Sequence, residues 1–305
     1  MRRAALVLPL ALCLALGLAA CSGASAEERS SPSASAPALA FADQFDLYNE
    51  TGDCRDFTIS AGELEGQPCY RLDSGEHGVT VLVPEQSPEH GDEVQAVVEH
   101  QGKQTSFAMP VFLLGHGGVS GTASLSLADL TGDGTLDLVY IYGGGGTGVW
   151  NDQVKVIDLA AMEERPICWD SDSVAERMSG LIRLQLVGTR EAGDLEEQRE
   201  AVYQITAPDG TAIYAGTGGF SLTEFPDTPS PIFGNYESIA LEEDRLALNS
   251  SFWLDLGVGV FGPYLGSLTC DFRYDPAQRS FTLSPECALQ VDVPVDPSAV
   301  AALRG

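Results

Sequence analysis

The stretch Asp129-Leu130-Thr131-Gly132-Asp133-Gly134-Thr135-Leu136-Asp137 runs straight into the apolar, strand-like Leu138-Val139-Tyr140-Ile141-Tyr142. Oxygen ligands at alternate positions of a tight loop are what a hard cation such as Ca²⁺ selects. In the loop pattern D-x-[DN]-x-[DN]-G-x-x-D, Asp129, Asp133 and Asp137 supply carboxylates and Thr135 a backbone carbonyl. Gly134 stands where the chain must turn sharply, a conformation open to glycine at little cost. Thr131 fills the third position with an uncharged hydroxyl, which predicts moderate affinity. The alternative is a hairpin turn whose aspartates cap backbone amides and face water. Three carboxylates within one short loop repel each other unless something neutralises them, and this favours a bound ion. Its expected role is structural, because carboxylates consumed as ligands leave no general base.

Outward from this loop, short alternating or apolar runs recur with turn residues between them. Strands are expected at Val79–Val83, Val94–Glu99, Thr105–Leu114, Thr122–Leu127, Leu136–Tyr142, Asp152–Leu159, Gly180–Val187, Ala201–Ala207 and Thr211–Ala215. Ile239–Leu241, Arg245–Leu256, Leu265–Asp275 and Ser280–Leu283 continue the series. Asp209-Gly210 is placed to turn a hairpin. Asp172–Met178 is a candidate short helix, and Glu191–Arg199 is polar on every side. The expected fold is therefore all-β, with β-propeller-like antiparallel blades, or alternatively a β-sandwich, in one or two subdomains. The proline-dense Phe225–Pro231 puts a sub-boundary near 225–235.

The Asp loop is not an EF-hand: Tyr140 occupies the twelfth position and strands, not helices, flank it. It resembles the FG-GAP (VCBS) repeat of integrin-like β-propellers and bacterial surface proteins, matched at Asp129, Asp133, Gly134, Asp137 and Leu138, with Thr131 as the departure. The resemblance covers about Ser124 to Tyr142 and implies a Ca²⁺ held between two adjacent strands of a blade-like hairpin. The loop occurs once in the chain.

The N-terminus carries a second signature. Met1-Arg2-Arg3 precedes a short apolar core, Ala4–Ala20, as in a secretory signal. Leu18-Ala19-Ala20-Cys21 resembles the bacterial lipobox, which implies cleavage before Cys21 and lipid on its thiol, with palmitate-type acylation. The expected organisation is a signal peptide at 1–20, a lipidated and flexible tether at 21–40 rich in Ser, Ala, Pro and Glu, an all-β domain at 41–297, and a tail at 298–305. Such a protein is anchored in the bacterial cell membrane and faces the extracytoplasmic side.

Sixteen basic and 44 acidic residues leave a formal charge of −28. Loss of Arg2 and Arg3 with the signal leaves 14 against 44, or −30. This argues against nucleic acid and anionic membrane surfaces as partners. Outside the membrane disulfides persist, and proximity suggests Cys54–Cys69 and Cys270–Cys287, each worth about 3 kcal/mol if formed. Cys168 is left over.

Gly143–Gly148 lacks the Gly-Lys-Ser/Thr ending of a phosphate loop and instead suits close passage of a neighbouring strand. With Leu114–Gly118 it frames an edge where His116, Tyr142 and Trp150 are candidate ligand contacts. No G-x-S-x-G, S-x-x-K or H-E-x-x-H occurs, and His100 is expected to be solvated. The sequence therefore reads as a cell-surface lipoprotein, a non-catalytic binding module for an extracellular protein or polysaccharide, held together by calcium. The alternative is a hydrolase of surface polymers with carboxylates that the sequence does not identify.

Overall fold

Alternation of side chains across each strand sorts the chain into two cores, one on each side of a shared hairpin. The computed structural model describes residues 54, 56–84, 93–109, 121–146, 149–191, 199–210, 212–218, 230–255 and 261–292. The segments expected as signal peptide (1–20), lipidated tether (21–40) and C-terminal tail (298–305), with Cys21, lie outside the described residues. Among the described residues the architecture is all-β, in three sheets with one helix, and joins a five-stranded and a nine-stranded sheet face to face in the manner of a sandwich.

The first sheet is an antiparallel meander of β1 (Thr58–Leu64), β2 (Gln67–Ser74), β3 (Val79–Pro84), β4 (Val94–His100) and β5 (Lys103–Met109). Two-residue turns at Glu65-Gly66 (φ 52° and 80°) and Gln101-Gly102 (φ 51° and 76°) join its outer hairpins. Both turn residues are left-handed, which matches the right-handed twist of the flanking strands. Tyr70, Leu72, Val81, Ala96, Val98 and Phe107 face inward and are buried. On the opposite face Arg71 clamps Asp73 through Nε–Oδ2 (2.6 Å) and Nη2–Oδ1 (2.8 Å), and the Thr80 hydroxyl donates to Oδ1 at 2.6 Å. Burial raises the Asp73 pKa, but the hydrogen bonds from Arg71 and Thr80 outweigh it and hold the carboxyl below its usual range.

The second sheet contains β6 (Gly121–Ala128), β7 (Asp137–Gly146), β8 (Val149–Asp158), β14 (Ser230–Glu242), β15 (Arg245–Asp255), β16 (Phe261–Asp275) and β17 (Ser280–Val291). Its order is β10-β17-β16-β15-β14-β8-β7-β6, with β10 (Ile167–Cys168) at one edge and β9 (Glu163–Arg165) paired to β8. It is antiparallel except for short parallel contacts of β14 with β8 and β10 with β17. Residues 225–229 lie outside the described residues, and Ser230 opens β14 within this sheet. The third sheet is β11 (Arg183–Glu191), β12 (Arg199–Thr206) and β13 (Ala212–Gly218). Here the Asp209-Gly210 turn lies within a longer connection, 207–211, with Gly210 at φ 87°.

The helix α1 (Ser171–Leu181) starts at Asp170, whose carboxylate accepts the Ser173 N–H at 2.7 Å. Val174, Met178 and Ile182, four residues apart, form its buried stripe. The helix ends where Ile182 turns extended and donates its N–H to Met178 O at 3.0 Å. No described helix is long and apolar enough to cross a membrane.

The apolar run after the Asp loop now has its reason. Leu138 and Tyr140 enter the core shared with the five-stranded sheet, and Val139 and Ile141 enter the core shared with α1 and β14–β17. A strand buried on both faces needs apolar residues at every position, not at alternate ones. Each such side chain contributes roughly 1.5–3 kcal/mol of burial.

Candidate metal centre

The Asp loop is the connection between β6 and β7, closed by the pair Ala128↔Asp137. Asp137 is therefore the first residue of a central strand, and it is 1 % exposed. Its Oδ2 accepts the N–H groups of Leu130 and Thr131, both at 2.9 Å. Asp129 accepts the Gly132 N–H at Oδ1 (2.8 Å) and the Gly134 N–H at Oδ2 (3.0 Å). Asp133 Oδ1 accepts the Thr135 N–H at 2.8 Å. Gly132 and Gly134 both take positive φ, 72° and 84°, which lets these amides point inward at their aspartates.

The electrostatics are uneven. Burial pushes the Asp137 carboxyl up to about 6, against the stabilising N–H groups of Thr131 and Leu130, and the Asp158 charge adds to the rise. Asp158 is its direct partner across the β7–β8 ladder and is 5 % exposed. Burial works to raise Asp158 as well, but the Ala161 N–H and the Arg165 guanidinium prevail and hold it low. Arg165 is buried and binds Asp158 through Nε at 3.0 Å and through Nη2, and its Nη1 reaches Glu163 at 3.0 Å. One member of the aspartate pair thus has a counter-ion, and the other has none among the described residues.

Two features of the loop fit a cation. Thr131 Oγ1 is buried and makes no hydrogen bond of normal geometry, and the Asp137 charge is offset only by the backbone N–H groups of Thr131 and Leu130 and the nearby Thr131 hydroxyl, with no cationic side chain among the described residues. A third does not: Asp129 spends both oxygens on glycine amides, and among the described residues no three His, Cys, Asp or Glu side chains converge as a metal site. A Ca²⁺ needs six to eight oxygens, so binding here requires Asp129 and Asp133 to exchange amide contacts for the ion.

The other predicted contacts separate. His116 lies outside the described residues. Tyr142 stacks on Tyr140 (5.0 Å) at the first core, where burial raises its pKa. Trp150 pairs with Gly145, three rungs from the Tyr142↔Gln153 pair, which puts Tyr142 and Trp150 on opposite faces. They do not line one site. Trp150 instead donates its indole N–H to Asp152 Oδ1 (2.8 Å) and stacks on Tyr236.

Cys270 and Cys287 form the expected disulfide, directly opposed on β16 and β17 with Cα atoms 4.4 Å apart. The Cys54–Cys69 bridge is not formed. Cys54 belongs to the inner core with Tyr70 and Leu72, and Cys69, next to Tyr70 on β2, must face the other way. Its sulfur covers Gly62, and burial pushes its thiol pKa up.

Sequence reasoning missed two buried polar groups. His100 is 8 % exposed, not solvated. Its Nδ1 lies 3.3 Å from Gly78 O, and its Nε2 has no hydrogen-bond partner. Its signal was its phase with Ala96 and Val98 on β4. Asp152 accepts both the Trp150 indole and the Ile239 N–H (2.8 Å), so it ties β8 to β14. A Cβ on Gly143 would lie 1.9 Å from Asp152 Oδ1, which explains why glycine opens the 143–148 run. Comparison with protein-family models, curated proteins and solved structures finds no match to this chain.

Proposed function

We propose that this protein is a lipid-anchored, non-catalytic binding module at the extracytoplasmic face of a bacterial membrane, stiffened by one structural Ca²⁺. The single observation that supports the non-catalytic reading is how the buried carboxylates are used. Asp137, Asp152 and Asp158 are each engaged by donors that join one strand or loop to another, not by groups in a shared cleft. The anchor rests on Cys21 in its lipobox-like setting and on the polar tether that follows. The calcium assignment follows the FG-GAP-like spacing together with the orphan Thr131 hydroxyl and the uncompensated Asp137 charge. Asp133 and Asp129 complete the ligand set with the Thr135 carbonyl, and the ion supplies positive charge to a turn built from carboxylates.

Metabolic labelling with an acyl-chain probe tests the anchor: label on the wild type and none on Cys21→Ala is expected, and equal labelling overturns it. Calcium at a hundredfold excess over its Kd adds about 2.7 kcal/mol to unfolding stability. The melting temperature should therefore drop by several degrees in EDTA and recover with Ca²⁺, and Asp133→Ala should abolish the difference. Turnover of a surface polysaccharide or peptide polymer by the purified chain would overturn the non-catalytic reading.

A further inference from the structure

Four aromatic side chains stand on four consecutive strands of the large sheet: Tyr264 on β16, Trp253 on β15, Tyr236 on β14 and Trp150 on β8. Trp253 meets Tyr264 edge-on at 5.2 Å, and Trp150 stacks with Tyr236 at 6.4 Å and 28°. Ser251 links the two pairs: its hydroxyl donates to Tyr236 O (3.0 Å) and accepts the Trp253 indole N–H (3.1 Å). The Tyr236 oxygen in this link is its backbone carbonyl, so Ser251 ties the Trp253 indole to the β14 backbone, and the indole N–H groups of Trp253 and Trp150 are both spent within the fold. Tyr236 is 46 % exposed, one of two large apolar side chains exposed among the described residues.

The charge around this row is one-sided. Residues 200–244, 246–272 and 280–303 contain no lysine or arginine. Arg245, Arg273 and Arg279 sit near the hairpin turns at the opposite ends of these strands. Two of the rings donate to carboxylates: Trp150 N–H to Asp152 and Tyr264 O–H to Asp292 at 2.9 Å. Donation to an anion makes a ring richer in electrons, and the negative face of such a ring attracts cations. A chain of formal charge −28 adds a long-range field that concentrates cations and repels anions.

We propose that this aromatic row is a binding surface for an organic ammonium group, with Tyr236 as its exposed anchor and Trp150 behind it. The inference rests on the binding-module reading and names its ligand class. A neutral saccharide would also stack on aromatic faces, but it gains nothing from the long-range negative field, which draws only a cation. Binding through ring faces and a negative field should weaken as salt is raised.

The test uses the full folded chain titrated with choline, with dimethylbutanol as the uncharged isostere, and with a neutral oligosaccharide, all followed by calorimetry. Saturable choline binding is expected, at least tenfold tighter than the isostere, at least tenfold weaker in Tyr236→Ala, and retained in Tyr236→Phe. Because Tyr236 is half exposed, circular dichroism of Tyr236→Ala should match the wild type. Equal affinity for choline and its isostere, no saturable choline binding, or an unchanged Kd in Tyr236→Ala overturns the proposal. Oligosaccharide binding that Tyr236→Ala abolishes overturns the ammonium assignment but leaves the binding-module reading intact. That reading falls separately, on polymer turnover.

Discussion

The two ends of the β7–β8 hairpin solve the same problem differently. At the glycine end, Asp152 is buried and accepts one donor from its own strand and one from β14. At the Asp-loop end, Asp137 is buried and held by two N–H groups of its own loop, opposite a second aspartate. Long-range donors lock a strand pair, and local donors shape a turn without neutralising it. The first arrangement is a finished piece of architecture. The second leaves room for a proton or a cation.

Breaking the ion pair beside Asp137 should have the largest effect. Arg165→Met leaves Asp158 as a second unpaired buried charge and should cost about 3–5 kcal/mol, read by urea unfolding. A loss below about 1 kcal/mol would show that water reaches this pair. At the other end, Gly143→Ala forces Asp152 out of both hydrogen bonds and should cost about 2–4 kcal/mol. Asp152→Ala removes the same bonds, so the double variant should cost clearly less than the sum. Additivity would mean that Asp152 does not bridge β8 and β14.

Asp137 gives the pH dependence. Its folded-state pKa, about 6, lies above the unfolded value near 3.8, so the native state binds the proton more tightly. Stability without divalent cations should fall as pH rises from about 4 to about 6, by roughly 2–3 kcal/mol in all. Asp137→Asn should remove that slope, and Ca²⁺ should flatten it by holding the carboxylate ionised. A slope that survives Asp137→Asn would assign it to other groups. Thr131→Val should have the smallest effect: within about 0.5 kcal/mol on the metal-free stability, because its hydroxyl makes no hydrogen bond of normal geometry. Its Ca²⁺ affinity should nevertheless fall severalfold, and calorimetry separates the two readouts.

The strands were legible where alternation or apolar runs were strong, as at Val94–His100 and Arg245–Asp255. β1 was not, since only Ile59 in Thr58–Leu64 is buried and the rest of the strand reads as polar turn. The helix was legible as Asp172–Met178, one residue late at its start and three short at its end, because the Asp170 cap was not recognised. The candidate cluster of His116, Tyr142 and Trp150 rested on nearness in sequence, whereas strand register set Tyr142 and Trp150 on opposite faces. The same rule separated Cys54 from Cys69 and brought Cys270 to Cys287.

By itself, the order of residues determined the all-β class, the place of the Asp loop ahead of a doubly apolar strand, the acidic balance and the lipobox-like Cys21. These depend on local chemistry and period, which act over a few residues. Only the tertiary structure decided which aspartate is buried without a counter-ion, which cysteines meet, and that Trp150, Tyr236, Trp253 and Tyr264 form one row. Those outcomes depend on which strands become neighbours. Neighbours are chosen by packing across the whole chain, and no single stretch encodes them.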